Sequence, residues 1–119
     1  MEKIPIVIAE TKSFIRSITS IWEQDDLDGF KDYIARNYES GDIISNTNGI
    51  RKIRWYRPGM GKRGGTRIIY YYYDINNPVF LLYAYPKNAQ ENLTPDEKKE
   101  LRGYVEILKN QLRRNTNGE

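Results

Sequence analysis

Three strand-like segments close together in the second half of the chain constrain its fold more than any other feature. They cover residues 50–56, 66–73 and 79–85, and each is rich in β-branched and aromatic side chains. Asn76-Asn77-Pro78 separates the last two segments, which is short enough for a hairpin. Connections this short favour a meander of three antiparallel strands.

Segments with helical periodicity lie on both sides of this meander. The first two begin near Thr11 and in the acidic stretch 24–28, and they place apolar side chains three and four residues apart. The third begins at Thr94-Pro95-Asp96-Glu97, where proline follows a capping threonine and glutamate stands three positions after it. The apolar stripes are Phe14, Ile18, Ile21 and Trp22; Leu27, Phe30, Ile34 and Tyr38; and Leu101, Tyr104, Val105, Leu108 and Leu112.

A β-rich run at residues 4–9 precedes the helices, and Pro5 near its start indicates an edge strand. The predicted order of elements is therefore β-α-α-β-β-β-α. This order describes an α+β fold, in which a small antiparallel sheet is packed by helices against one face. With 119 residues, we expect one domain covering residues 1–119.

The residue types that are missing limit the possible chemistry. The chain has no cysteine and no histidine, which excludes disulfides, thiolate metal sites and the Ser-His and Cys-His pairs of nucleophilic catalysis. Any catalysis must then use lysine, arginine, tyrosine, a carboxylate or the backbone, and we expect no metal and no cofactor. The sequence has no apolar run of about 20 residues and no typical secretory signal, so we expect a cytoplasmic protein.

Charge is distributed unevenly, although the net charge is only +3. Residues 51–73 contain seven basic residues and no acidic one, whereas residues 23–42 contain seven acids and two bases. This asymmetry indicates a surface that binds a polyanion. The glycine-rich basic loop 57–65 is not a nucleoside-triphosphate loop, because it lacks the GxxxxGK[ST] spacing and leads into a strand.

Alternation along the strands places several of these cations on one face. Lys52 shares a face with Arg54, and Arg67 lies at the start of the next strand. If the helices need only one face of the sheet, the other can display Arg54, Arg67 and the strand-end Lys87 on a tyrosine-rich surface. Such a surface suits single-stranded RNA, whose phosphates need charge and whose bases stack on rings. For the tyrosines 70–73 a structural role is favoured, since alternate members must face the core. For the cations the alternative is that they are solvated surface charges.

Four segments in combination resemble the HigB branch of the RelE/ParE toxin superfamily: GIRKIR at 49–54, GKRGGTRIIYY at 61–71, LLYAYPKN at 81–88 and NLT at 92–94. The resemblance extends from about Gly41 to the last helix. It implies the RelE-like fold, whose usual element order agrees with the one predicted above. It also implies a ribosome-dependent mRNA endonuclease of a toxin–antitoxin pair. In such an enzyme the 2′-hydroxyl of the substrate attacks the adjacent phosphate, and no metal takes part.

The resemblance also implies roles for individual residues. Arg67 is expected to hold the transition-state phosphate, and Lys87 to be the second catalytic cation, as general acid or base. Tyr85 is expected to stack on a base or to shuttle a proton. The residues expected to bind RNA or the ribosome, or to orient the turn beside them, are Arg54, Lys62, Arg63, Lys52, Arg57 and Asn88. This interpretation requires Arg67 and Lys87 to lie on the same side of the sheet, with neither buried against a structural partner.

Two other functions are compatible with the sequence. One is a ParE-like toxin that binds a topoisomerase and cuts nothing, and the other is a basic domain that binds RNA with a steep salt dependence and without cleavage. Cations that converge at strand ends favour the nuclease, since a protein that only binds has no need of them. The expected partners are the ribosome, mRNA and a cognate antitoxin, which we expect to be a small helix-turn-helix protein.

Overall fold

The computed structural model describes residues 4–56 and 65–116, which form a five-stranded sheet and three helices. The elements are β1 (Ile8–Glu10), α1 (Lys12–Thr19), α2 (Gln24–Ile34), β2 (Asp42–Ile43), β3 (Ile50–Trp55), β4 (Thr66–Tyr72), β5 (Val79–Pro86) and α3 (Pro95–Thr116). The strands lie in the order β1-β5-β4-β3-β2. The predicted α+β class is confirmed, and the short strand β2 adds one element to the predicted order.

The three central strands form the predicted antiparallel meander, since β4 pairs with β3 on one side and with β5 on the other. β1 is an edge strand, as Pro5 indicates, but it begins at Ile8 and runs parallel to β5. The register between β4 and β5 shifts at Ile69/Tyr70. Because of this bulge, Leu82 and Tyr83 both belong to the same side of the sheet.

Both faces of the sheet are covered, which corrects the prediction that the helices leave one face free. α1 and α2 pack on one face, around Ile68, whereas α3 packs on the other face, around Ile69. The physical reason is that both isoleucines are fully buried, so each face of β4 must be removed from water. The tyrosines 70–73 are buried or half-buried, as their structural role predicts.

The predicted helix starts are confirmed by their hydrogen bonds. The Thr11 hydroxyl accepts the Phe14 N–H at 3.2 Å. At the start of α3, the Glu97 N–H donates to the Thr94 hydroxyl at 3.1 Å, and the Thr94 N–H donates to the Glu97 carboxylate at 2.8 Å. This capping box fixes the end of the connection from β5 to α3. Within the described residues, no helix has both the length and the apolar character needed to cross a bilayer.

We predict that Thr94→Ala lowers the free energy of unfolding by about 1 kcal/mol, because the Glu97 N–H loses its acceptor. Urea unfolding followed by circular dichroism measures the change. Thr19→Ala is the matched control, since the exposed Thr19 hydroxyl donates only to the Ile15 carbonyl of its own helix. An equal loss in both variants would show that the capping box is not what stabilises α3.

Candidate active site

Arg54, Arg67 and Tyr85 lie side by side on three neighbouring strands. Arg67 is the register partner of Arg54 on β3 and of Tyr85 on β5. Alternation places this row on the face that α3 covers, because Ile69, two residues after Arg67, belongs to the core on that face. The row lies at the end of the sheet where β4 begins and β5 ends. The meander therefore brings together side chains that are far apart in the sequence.

Arg67 is only 1% exposed, so the expectation that it is displayed to solvent is wrong. The condition that it not be buried against a partner is not met either, because it is buried with Gly65 and Glu91 as partners. Its Nη1 donates to the Gly65 carbonyl at 3.4 Å, and its Nη2 donates to Oε1 of Glu91 at 3.2 Å. Its Nε is buried and has no hydrogen-bond partner in the described part of the chain. A buried donor without an acceptor costs stability. The guanidinium therefore keeps hydrogen-bonding capacity that the fold does not use.

Two consecutive residues between β5 and α3 contact three of the predicted cations. Oε1 of Glu91 lies 3.2 Å from Nη2 of Arg67 and 3.8 Å from Nη2 of Arg54. The Asn92 side-chain oxygen accepts a hydrogen bond from Nζ of Lys52 at 2.9 Å. The Glu91 side chain is 59% exposed, so the buried arginine has a partner that is itself open to solvent. The partner is therefore a surface carboxylate, which is a weaker constraint than a carboxylate buried in the core.

Lys87 lies at the same end of the sheet as Arg67. Its backbone N–H donates to the Gly65 carbonyl at 3.1 Å, and this is the carbonyl that Nη1 of Arg67 also contacts. The Lys87 and Asn88 side chains are exposed in the turn after β5. The structure thus places the Lys87 backbone at the same end of the sheet as the buried Arg67 guanidinium, with the Lys87 side chain exposed.

Tyr85 is 2% exposed, so in this conformation it offers no ring face on which a base could stack. Its hydroxyl is buried and has no hydrogen-bond partner among the described residues. Burial raises the pKa of Tyr85 to about 12, although the neighbouring charge of Arg67 acts in the opposite direction. The hydroxyl is therefore protonated at neutral pH, where it can donate a hydrogen bond but cannot act as a base.

The open aromatic ring near Arg67 is Tyr56, which is 46% exposed and which the sequence analysis did not single out. A Cβ added to Gly65 would lie 2.9 Å from Cε1 of Tyr56 and 3.2 Å from Nη1 of Arg67. The ring and the guanidinium thus flank the same glycine, and a side chain there would push them apart. The sequence feature that could have identified Tyr56 is its position directly after β3 and before the basic loop 57–65.

The sequence analysis also did not identify Glu91, because the sequence gives little indication of its role. It is the single acidic residue between Asp74 and Asp96. Only the structure shows that the connection after β5 folds back over the start of β4, which brings this carboxylate to Arg67.

The remaining predicted RNA-binding residues divide into two groups. Lys52 and Arg54 line a cleft of about 560 Å³ beside the edge formed by β2 and β3, a volume typical of ligand sites. Arg57, Lys62 and Arg63 lie outside the described residues. The cationic surface that can be described therefore consists of the cleft, the Arg67 row and the turn that carries Lys87.

We predict that Tyr85→Phe leaves the free energy of unfolding unchanged or raises it by about 1 kcal/mol, because it removes a buried hydroxyl without a described partner. Tyr70→Phe is the matched control. The Tyr70 hydroxyl accepts the buried Gly41 N–H at 2.8 Å, so its removal should cost about 1 to 3 kcal/mol. Urea unfolding at pH 7 measures both, and a similar loss in the two variants would contradict the prediction.

The same variant changes the alkaline stability. Because burial raises the pKa of folded Tyr85 from 10.0 to about 12, the unfolded chain loses the Tyr85 proton first. The stability of the protein is therefore unaffected by this group below pH 10 and falls as pH rises through 12. The shift corresponds to about 2 to 3 kcal/mol. Tyr85→Phe should therefore lose less stability than the unmodified protein between pH 9 and 12.

Comparison with known protein families adds an independent finding. Residues 31–117 match the family model described as the RelE toxin of the RelE/RelB toxin–antitoxin system. The match covers most of the chain and includes the Arg54–Arg67–Tyr85 row, Lys87 and Glu91. Membership implies that the partner of the protein is an antitoxin. The chain belongs to the RelE toxin family, and it is the toxin of a toxin–antitoxin system.

Proposed function

We propose that this toxin is a ribosome-dependent mRNA endonuclease of the HigB branch. The observation that carries the proposal is the buried guanidinium of Arg67, which has an unused Nε–H and lies beside Arg54 at the end of the sheet. The HigB branch is proposed from the segments at 49–54, 61–71, 81–88 and 92–94.

The chemistry needs a group that stabilises charge on a phosphate. When the 2′-hydroxyl attacks, it gives up its proton to water, a bond forms between the 2′-oxygen and phosphorus, and the bond to the 5′-oxygen breaks. Negative charge grows on the non-bridging oxygens meanwhile. A guanidinium held in place by burial stabilises that charge more strongly than one in water. Arg67 can offer Nε and Nη2 together, which matches two oxygens of a phosphate. The products are a cyclic phosphate and a free 5′-hydroxyl.

Lys87 is the residue we assign to proton transfer. Its side chain is exposed, and its backbone N–H shares the Gly65 carbonyl with Arg67. As an ammonium it can donate a proton to the departing 5′-oxygen. Tyr85 is protonated and can donate a hydrogen bond to the phosphate if that group reaches its hydroxyl. The ribosome would hold the 2′-oxygen in line with the bond that breaks, which can supply much of the rate.

Residues near Arg67 can bind the parts of the RNA on either side of the scissile phosphate. Tyr56 can stack on a base next to the scissile phosphate, because its ring is half exposed and adjoins Arg67 at Gly65. Lys52 and Arg54 can hold a further phosphate at the cleft beside β3. In this proposal the protein acts in the cytoplasm, where translated mRNA is found, and a helix-turn-helix antitoxin inhibits it.

We predict that Lys87→Ala and Arg67→Lys each reduce mRNA cleavage by about 100- to 1,000-fold. Because the Lys87 side chain is exposed, Lys87→Ala should leave the fold intact. Arg67→Lys keeps the positive charge but removes the bidentate hydrogen bonding of the guanidinium. Primer extension on translated mRNA after induction measures cleavage, and urea unfolding verifies that each variant is folded. Lys12→Ala and Arg16→Ala are matched controls, since both residues are exposed on α1, which packs on the opposite face of the sheet from the row.

Each rival function gives a different result in this experiment. Growth arrest without cleavage of translated mRNA would favour a topoisomerase-binding toxin. RNA binding that weakens steeply with salt, again without cleavage, would favour a simple binding domain. Undiminished growth arrest in both Lys87→Ala and Arg67→Lys would refute the assigned roles.

We also predict that Tyr56→Ala reduces cleavage by about 5- to 150-fold, the range expected for the loss of one base–ring stack. Tyr56→Phe keeps the ring and should retain most of the activity, so the pair separates stacking from hydrogen bonding. Multiple-turnover cleavage by the ribosome-bound toxin is the measurement. Equal activity of Tyr56→Ala and the unmodified protein would exclude Tyr56 from the RNA path.

A further inference from the structure

We propose that Glu91 is a displaceable occupant of the phosphate site: its carboxylate holds Arg67 and Arg54 in the RNA-free protein and leaves when a phosphodiester enters. The inference rests on the proposed function, because it takes the Arg67 guanidinium as the site of the scissile phosphate. It adds a regulating residue that the sequence analysis did not identify.

The Glu91 carboxylate contacts the Arg67 guanidinium through only one of two neighbouring N–H groups. Nε and Nη2 form one edge of an arginine, and that edge can bind two oxygens at once. Here Oε1 of Glu91 contacts Nη2 of Arg67 at 3.2 Å, while Nε has no partner in the described part of the chain. Glu91 thus uses half of the edge. A phosphate with two free oxygens can use both halves and so forms one hydrogen bond more than the carboxylate does.

A single oxygen of Glu91 lies between Arg67 and Arg54. Oε1 of Glu91 is 3.2 Å from Nη2 of Arg67 and 3.8 Å from Nη2 of Arg54. Arginines that bind a carboxylate oxygen in this way can also bind a phosphate oxygen. The Glu91 carboxylate therefore stands in the position and has the charge of the group that the site is proposed to bind.

Glu91 can turn toward solvent without breaking the hydrogen bonds that hold the connection around it. Its side chain is 59% exposed, and the two arginines are the only ion-pair partners that the described residues give it. The connection around it is held by other groups, since the Gln90 side chain donates to the Glu97 carboxylate at 2.8 Å and to the Asn92 carbonyl at 2.9 Å. Rotation of Glu91 toward solvent breaks neither of these bonds.

The occupant also explains how a buried charge is tolerated without RNA. A buried cation without a counter-ion is strongly unfavourable, whereas an ion pair with a surface carboxylate offsets part of that cost. The phosphate then replaces one counter-ion by another, so Arg67 is paired in both states. Because the two anions exclude each other, the carboxylate lowers the apparent affinity for RNA in proportion to the time it occupies the site.

Glu91→Gln tests the proposal, since the amide keeps the shape of the side chain and removes its charge. The ligands are inorganic phosphate and a short single-stranded RNA in which 2′-deoxy nucleotides replace the ribonucleotides at the positions that could be cut. This RNA can bind, but it cannot be cleaved because the attacking 2′-hydroxyl is missing. We expect roughly tenfold tighter binding of both, as for a site that was open about one-tenth of the time. We also expect a lower Tm without phosphate and a larger rise in Tm on adding it, because Arg67 has lost its counter-ion. Fluorescence anisotropy at fixed salt and thermal unfolding are the readouts.

Glu106→Gln is the matched control, because it changes the net charge equally at an exposed position of α3. It should leave both affinities unchanged, which separates the local effect from the long-range attraction of RNA to a more basic protein. Equal affinities of Glu91→Gln and the unmodified protein, including no binding by either, would overturn the inference. So would loss of cleavage in Glu91→Gln with unchanged binding, since Glu91 would then take part in the reaction.

The binding and cleavage measurements also separate this inference from the proposed function. If the unmodified toxin cuts no mRNA but Glu91→Gln binds phosphate more tightly, the endonuclease proposal fails and the occupancy of the anion site stands. If the toxin cuts mRNA and Glu91→Gln binds no better, the occupancy fails alone.

Discussion

The ion pair between the buried guanidinium of Arg67 and the exposed carboxylate of Glu91 is the interaction on which the candidate site depends. Arg67 is 1% exposed, so its charge needs a partner, and within the described structure a surface carboxylate supplies it. A partner from the core would hold the arginine as a structural residue. A partner at the surface can be replaced by another anion, and the proposed role of Arg67 depends on this difference.

The cover on both faces of the sheet explains why the site lies at one end. α1 and α2 pack on one face and α3 packs on the other, so neither face is free to bind RNA. Polar groups can then collect only where the strands begin and end. β4 begins and β5 ends at the same place, next to the turn that carries Lys87. Among the described residues, Arg54, Arg67 and the backbone of Lys87 thus lie at one end of the sheet and not across an open face.

Much of the fold could be predicted from the sequence, because it depends on local patterns. Strand alternation, hairpin length and the cap at Thr94 act over a few residues, and the structure agrees with them. The burial of Arg67 and Tyr85 could not be predicted in this way. It results from the position of α3 and of the connection before it, which are long-range features. For the same reason the sequence pointed to Tyr85 as the stacking ring, whereas the exposed ring beside Arg67 is Tyr56.

Two buried groups have no hydrogen-bond partner among the described residues, and they are neighbours in the sheet. These groups are Nε of Arg67 and the Tyr85 hydroxyl. They belong to register partners on neighbouring strands and point to the same side of the sheet. Each costs stability in the RNA-free protein, and a fold selected for stability alone would replace at least one of them. In the proposed function that cost is offset when RNA binds, because a phosphate that displaces Glu91 can accept from both groups.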